Sequence, residues 1–314
     1  MKIGIVGVGN VGAAAAFLLA VWKVADEIVL INKARARAVA EALDISHALP
    51  EVSDCVLRDG DYADLRGADI VLMACGIRRN TPTRSRLELL DGNIPLCAKI
   101  MEEIVKFTTD AILIVVTNPV DIVASALMRL SGFPRERIIS SGTALDSARF
   151  ETILASHFHV PLSAVHGDVL GEHGDSQVPI WSSVRIFGQP VEDFAKSNGI
   201  EFSECMKSEI AARTKSVPDE IVACKHATYY GIAGVVAKIC KAIGDDARVA
   251  MNVSTLHENF FEGNSVFLST PTVVCARGAT EILPLKLTAL EWKALVRSAD
   301  VIEKYSAMAW EVLE

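Results

Sequence analysis

Lys2-Ile3-Gly4-Ile5-Val6-Gly7-Val8-Gly9-Asn10-Val11-Gly12 opens the chain, followed by A-A-A-A-F-L-L-A-V-W-K-V at 13–24 and E-I-V-L-I at 27–31. Lys2–Val6 and Glu27–Ile31 are short apolar runs that predict strands, and 13–24 is rich in helix formers. Gly7, Gly9 and Gly12 therefore form a G-x-G-x-x-G pattern between a strand and a helix, in a unit of about thirty residues. In that setting glycine serves the tight turn, the close approach of a pyrophosphate to the backbone, and close helix–strand packing. The free N–H groups at the helix start add a positive dipole end for the phosphates. Gly7, Gly9, Asn10, Val11 and Gly12 are thus candidate contacts for a dinucleotide.

Outward from this unit the alternation continues. Residues 69–74 (D-I-V-L-M-A) and 111–116 (A-I-L-I-V-V) are continuous apolar runs, as parallel strands covered on both faces require. Helical stretches at 33–48, 87–109 and 120–131 separate them, with a further strand at 137–141 and a helix at 145–159. Beyond about residue 145 the rhythm changes. Helices are predicted at 203–216, 225–242 and 288–314, with β-type runs at 179–187, 248–256 and 265–275 between them. The expected architecture is α/β: a doubly wound parallel sheet of Rossmann type over residues 1–144, then a mixed α/β substrate and catalytic domain with antiparallel strands over 145–314.

Composition narrows the function. A chain of 314 residues, 51% hydrophobic, carries a real core and is not disordered. A net charge of −8 argues against nucleic-acid or anionic-membrane partners, so an anionic substrate must be met by local arginines. Seven cysteines, an odd number with no C-x-x-C, fit reduced thiols in the cytoplasm better than a disulfide framework or a zinc site. The longest apolar run, 11–22, is too short to span a bilayer.

Four pieces carry chemistry. In V-H-G-D-V-L-G-E-H-G-D-S-Q-V-P (165–179), glycines on either side of His173 suit a tight loop that a ligand approaches closely. Asn118-Pro119-Val120-Asp121 follows the strand at 111–116, where the ligand of such a sheet lies. Leu145-Asp146-Ser147-Ala148-Arg149 opens a helix, where Asp146 can also act as a cap. Arg78, Arg79, Arg84 and Arg86 crowd the segment after the strand at 69–74, and Thr228 stands near the start of the helix at 225–242. A metal site from His166, Asp168, His173 and Asp175 is possible by ligand type but competes with an acid–base role for His173, so no metal is expected.

Jointly, G-V-G-N-V-G, N-P-V-D, L-D-S-A-R and G-E-H-G-D-S resemble the L-lactate/malate dehydrogenase family in order and spacing over nearly the full length. The resemblance implies a two-domain subunit, a nicotinamide cofactor (NAD), assembly into dimers or tetramers, and hydride transfer between the cofactor and a small L-2-hydroxy acid. His173 matches the family's catalytic histidine, whose near-neutral titration suits a general acid–base. Asp146 matches the carboxylate that orients that ring and stabilises its charged form. Arg149 matches the substrate-carboxylate clamp, where a rigid guanidinium fork meets two oxygens at once. Arg86 matches the arginine that polarises the carbonyl from a closing loop. Asn118 matches the residue that orients substrate beside the nicotinamide, and Gly76 lies at the cofactor edge of the loop.

Two departures, at Asn32 and in the loop, keep alternatives open. Asn32 stands twenty residues after Gly12, where NAD-binding folds place an acid for the ribose hydroxyls, and Lys33, Arg35 and Arg37 follow it. NAD is expected on family grounds, with NADP open. The substrate-selecting position is Arg79 counted from Gly76 and Asn80 counted back from Arg86, so the loop is one residue longer than in common members. Thr228 resembles lactate-type members, which favours pyruvate/lactate over oxaloacetate/malate. Sugar-bisphosphate-activated bacterial members carry arginine two residues beyond the clamp, where this chain has Glu151. A non-catalytic dinucleotide-binding protein is the alternative of another class, and retention of Arg86, Asp146, Arg149 and His173 speaks against it.

Overall fold

The computed structural model describes residues 1–77, 86–261 and 263–313, without the side chains of residues 86–88. The first half alternates β1 (Lys2–Val6), α1 (Asn10–Val21), β2 (Glu27–Ile31), α2 (Arg35–His47), β3 (Val56–Asp59), β4 (Ile70–Met73), α3 (Arg86–Ile104), β5 (Ile112–Val115), α4 (Val120–Ser131), β6 (Ile138–Ser140) and α5 (Ala144–Phe158). The second half adds β7 (Val165–Leu170), β8 (Val178–Ile186), β9 (Gln189–Pro190), α6 (Val191–Ser197), α7 (Glu204–Lys225), α8 (Tyr230–Gly244), β10 (Val249–Phe261), β11 (Asn264–Cys275), β12 (Gly278–Ile282) and α9 (Ala289–Leu313).

Side chains of a strand alternate between faces, and the continuous apolar runs therefore feed two cores at once. Ile112 and Ile114 of β5 join the core under α1, α2 and α8, together with Ile3 and Ile5 of β1. Leu113 and Val115 join the opposite core under α3, α4 and α9. The order β3-β2-β1-β4-β5-β6 is parallel throughout, and its winding reverses between β1 and β4. That switch point opens a crevice at the carboxyl ends of the strands, where ligands of such sheets bind.

The antiparallel strands of the second half extend this same sheet. β10 meets the edge of β6 at Ser254 and Ser140, and β11 and β12 follow, giving nine strands in all. Among the described residues only β7-β8-β9 forms a separate sheet, over its own aromatic core that includes Phe150, Phe158 and Phe194.

The structure differs from sequence expectation in four further places. β3 had no apolar signature because it is an edge strand whose Val56 is 57% exposed. Residues 165–170 form strand β7, hidden in the sequence by the polar His166 and Asp168 that alternate with buried Val165 and Val169. The seven-residue α6 was not foreseen. Helix α7 continues through Pro218 to Lys225, and α8 begins only at Tyr230. Thr228 therefore lies in the connection between the two helices rather than inside one.

Candidate active site

The glycine turn shows why three glycines are spaced as they are. Gly7 has φ +100°, and a Cβ there would lie 2.4 Å from the backbone nitrogen of Cys75. A Cβ on Gly12 would lie 2.1 Å from the carbonyl oxygen of Gly7. Both glycines are demanded by the fold. A Cβ on Gly9 meets no atom of the described residues within 4 Å, so its missing side chain leaves room in the cleft itself. Gly9 precedes the first turn of α1, which has no side-chain cap, and Asn10 and Val11 also line the cleft. These residues fit a pyrophosphate, the group an α/β dinucleotide site holds there.

The cleft has a volume of about 1480 Å³ and runs from Asn32, Lys33, Arg35 and Arg37 past the glycine turn to Asn118, Asp146, Arg149, His173 and Thr228. Gly76 lines it beyond the end of β4, with a would-be Cβ 3.4 Å from Thr117 and from Asn93. Asn118 follows β5, its side chain exposed on the cleft wall. Buried Asn93 of α3 ties these two loops together: its amide oxygen accepts from the Ile77 N–H (2.8 Å) and its nitrogen donates to the Asn118 carbonyl (2.7 Å). A lone asparagine inside a helix gave no sequence signal for this brace.

At the far end three charged side chains meet. Asp146, 4% exposed, accepts from His173 Nδ1 at 2.6 Å with one oxygen and from Arg149 Nη1 at 2.9 Å with the other. Thr143 occupies the N-cap position of α5, so the capping possibility for Asp146 falls away and its carboxylate is left for its two partners. The (i, i+3) spacing puts Asp146 and Arg149 on one helix face. Gly171 has φ +93°, and a Cβ there would meet the Ser298 hydroxyl at 2.5 Å, so the turn that delivers His173 demands glycine. The backbone N–H of His173 donates to Asp121 Oδ2 (2.9 Å) from the first turn of α4. Asp121 was quoted within N-P-V-D without a role, yet it fixes the histidine's main chain.

Electrostatics follow from burial. Burial opposes charge on the His173 ring, but Asp146, with Asp121 behind it, more than offsets this and holds its titration above the ordinary imidazole value. Burial likewise disfavours ionised Asp146, and His173 and Arg149 overcome it, keeping that carboxylate below its usual range. Burial pushes Asp121 up to about 6, against the pull of the His173 N–H. His173 retains 23% exposure, and its ring lines the cleft. It is thus a titratable group at the cleft surface, held by a carboxylate behind it.

The remaining expectations are placed as follows. Arg86 begins α3, but its side chain lies outside the described residues, as do Arg79 and Asn80 entirely. Asn32 turns inward: its oxygen accepts from the Val8 N–H (3.1 Å) and its nitrogen donates to the Ala34 carbonyl (3.1 Å). His166 stands apart from His173, beside Glu151 (3.6 Å) and Asp168 (3.7 Å).

Comparison with known proteins identifies the family. The lactate/malate dehydrogenase NAD-binding domain model matches residues 1–140, and that family's C-terminal α/β domain model matches residues 143–310. L-Lactate dehydrogenase of Thermus aquaticus is 40% identical over 303 residues, covering 96% of this chain and 97% of the relative. That of Allorhizobium ampelinum is 39% identical with the same coverage. The solved lactate dehydrogenase of Cryptosporidium parvum, in complex with lactic acid and nicotinamide adenine dinucleotide, superimposes with a TM-score of 0.93 at 30% identity, covering 98% of this chain and 97% of that one. The minor L-lactate dehydrogenase of Enterococcus mundtii gives 0.91 at 32% identity, covering 98% of both. With both domain models matched end to end and the glycine turn opening onto a histidine–aspartate–arginine cluster, the chain belongs to the lactate/malate dehydrogenase family.

Proposed function

We propose that this chain is an NAD-dependent L-2-hydroxy acid dehydrogenase that interconverts lactate and pyruvate. The observation that carries the reading is the cluster of His173, Asp146 and Arg149 at one end of a cleft whose other end is the glycine cradle. Bound NAD supplies the hydride acceptor, and its reduced form the donor. Gly7, Gly9, Asn10, Val11 and Gly12 seat the pyrophosphate, and Gly76 and Asn118 flank the nicotinamide end. His173 takes the hydroxyl proton in oxidation and returns it to the ketone oxygen in reduction. Asp146 holds the Nδ1 proton, so that Nε2 is left for the substrate, and stabilises the imidazolium. Arg149 engages Asp146 through one nitrogen and keeps the rest of its fork for the substrate carboxylate. Arg86 polarises the carbonyl, and Arg79 or Asn80 selects the substrate's side chain together with Thr228. Asp121 and Asn93 act through the groups they brace.

The division at 144/145 separates the part that holds the cofactor from the part that holds the acid–base pair. We also place the protein in the cytoplasm, where the exposed thiols of Cys205 and Cys224 stay reduced. We read it as a homo-oligomer, dimer or tetramer. Val39 and Leu43 on α2 and Tyr230 on α8 are exposed apolar surface suited to a partner copy. No described helix is long and apolar enough to cross a membrane.

The test is kcat/KM for pyruvate, 2-oxoisocaproate and oxaloacetate with NADH under matched conditions. Pyruvate is expected to lead. A hundredfold advantage for oxaloacetate, about 2.7 kcal/mol in transition-state binding, overturns the lactate reading in favour of malate dehydrogenase. Binding of NADH without turnover of any of the three would identify a non-catalytic dinucleotide-binding protein.

A further inference from the structure

The end of the cleft beyond β2 is lined by Lys33, Arg35 and Arg37 and has no acid at the end of the strand itself. In an α/β dinucleotide site an acid at the end of the second strand binds the adenosine ribose hydroxyls and repels a 2′-phosphate, whereas nearby arginine accommodates one. Here the position is Asn32, and the structure shows how completely the anionic acceptor is gone. The side-chain oxygen is engaged by the Val8 N–H and the nitrogen by the Ala34 carbonyl, so the amide braces the glycine turn against the start of α2.

Cations replace the acid. Lys33, Arg35 and Arg37 all line this end of the cleft. Lys33 is exposed and makes no ion pair among the described residues. Arg35 is 74% exposed and uses only its Nε on Asp59 (2.6 Å), which leaves the outer edge of the guanidinium for another anion. Arg37 reaches Glu41 weakly at 3.4 Å, and its buried Nε has no hydrogen-bond partner among the described residues. The first turn of α2 contains no acid and its N-cap is Ala34, without a side-chain cap. The opposing charge on this stretch of wall is Asp61, whose carboxylate is turned to the Ala63 N–H as the cap of a short 3-10 helix. Asp59, Glu41 and Asp61 are each committed to a partner, whereas Lys33 and the outer edge of Arg35 stay available, so a dianion can be met here where an acid at position 32 would repel it.

We propose that this enzyme binds the 2′-phosphorylated cofactor NADP(H) as well as NAD(H), with Lys33 and Arg35 holding the phosphate and Arg37 supporting them. The proposal rests on the dehydrogenase reading above and adds the identity of the second cofactor.

Calorimetric titration of the full chain with NADPH and, separately, with NADH tests it without turnover. NADPH is expected to bind within about tenfold of NADH, and its affinity to fall more steeply with added salt, because the extra phosphate–cation contacts are solvent-exposed and screened. Lys33→Val should weaken NADPH by about fivefold, the scale of one exposed charge pair, and NADH by under about twofold. Asn32→Asp should shift the NADPH/NADH affinity ratio toward NADH by restoring the repelling charge. NADH binding with NADPH weaker by about a hundredfold or more overturns the proposal and leaves the dehydrogenase reading standing. A Lys33→Val change that weakens both cofactors equally also overturns it. Failure of both cofactors to bind overturns the dehydrogenase reading itself.

Discussion

At the dinucleotide end of the cleft the working groups are backbone: a turn at Gly7, an open space at Gly9, and the uncapped start of α1. At the reacting end they are side-chain charges, Asp146, Arg149 and His173, nearly buried and satisfied chiefly by one another. The first end is made by eleven consecutive residues and tolerates no added carbon at two of them. The second draws on α4, α5 and the turn after β7, and stands or falls by electrostatics. A backbone cradle binds by shape and dipole, whereas a buried charge cluster sets where a proton resides.

The largest test of that contrast is His173→Ala. Loss of a general acid–base lowers kcat by about 10²–10⁴-fold, while NADH affinity, measured by fluorescence titration, should change by under about threefold. Near wild-type turnover would remove His173 from the chemistry. Parallel losses in kcat and in NADH affinity would erase the separation between the two ends.

Next comes Asp146→Asn. In the proposed reaction ketone reduction needs protonated His173, so kcat/KM for pyruvate should be flat at low pH and fall as pH rises through the histidine's titration. Asp146 holds that titration above the ordinary value of about 6.5. Removing the negative charge should move the fall to lower pH and cost about two orders of magnitude in rate near neutrality. A pH profile that loses height without shifting would mean that Asp146 positions the ring but does not hold its proton.

Within the cradle, Gly7→Ala and Gly9→Ala should separate stability from binding. Gly7→Ala introduces both backbone strain and a collision with Cys75, at a cost of about 1–3 kcal/mol or more, and should lower Tm by several degrees. Gly9→Ala meets no atom of the described residues, so Tm should hold while NADH affinity falls by about tenfold. Equal losses of Tm in the two variants would make Gly9 structural. The smallest expected effect lies outside the cleft. Glu151 accepts from the Gly167 N–H and sits beside His166, so fructose 1,6-bisphosphate should be repelled and leave the rate unchanged. A clear activation in a rate assay would show that this surface recruits other cations.

The same contrast explains what was legible in advance. Strands β1, β2, β4 and β5 and helix α4 were readable because a strand covered on both faces must be apolar at every position, and helices must supply the covers. β3 and β7 were not, since an exposed edge and a strand carrying His166 and Asp168 lack that signature. Thr228 was assigned to a helix because nothing local announces that α7 runs through Pro218 and stops at Lys225. In the site, His173, Asp146 and Arg149 could be named from motifs, but not that Arg149 shares Asp146 with the histidine. Asn93 and Asp121 carried no sequence mark of the loops they brace.

The sequence alone determined the parallel sheet, the glycine turn and the choice of chemical groups, because periodicity, backbone freedom and side-chain chemistry are properties of a residue and its near neighbours. Tertiary structure decided the rest. It decided that the antiparallel strands extend the first sheet through Ser140 and Ser254, that Gly9 is open while Gly7 and Gly12 are closed, and that Asn32 faces the protein and leaves Lys33 and Arg35 to the cleft. Each of these depends on contacts between residues far apart in the chain or on the space left between them. A pKa, a hydrogen-bond partner and a cavity exist only once those distances are set.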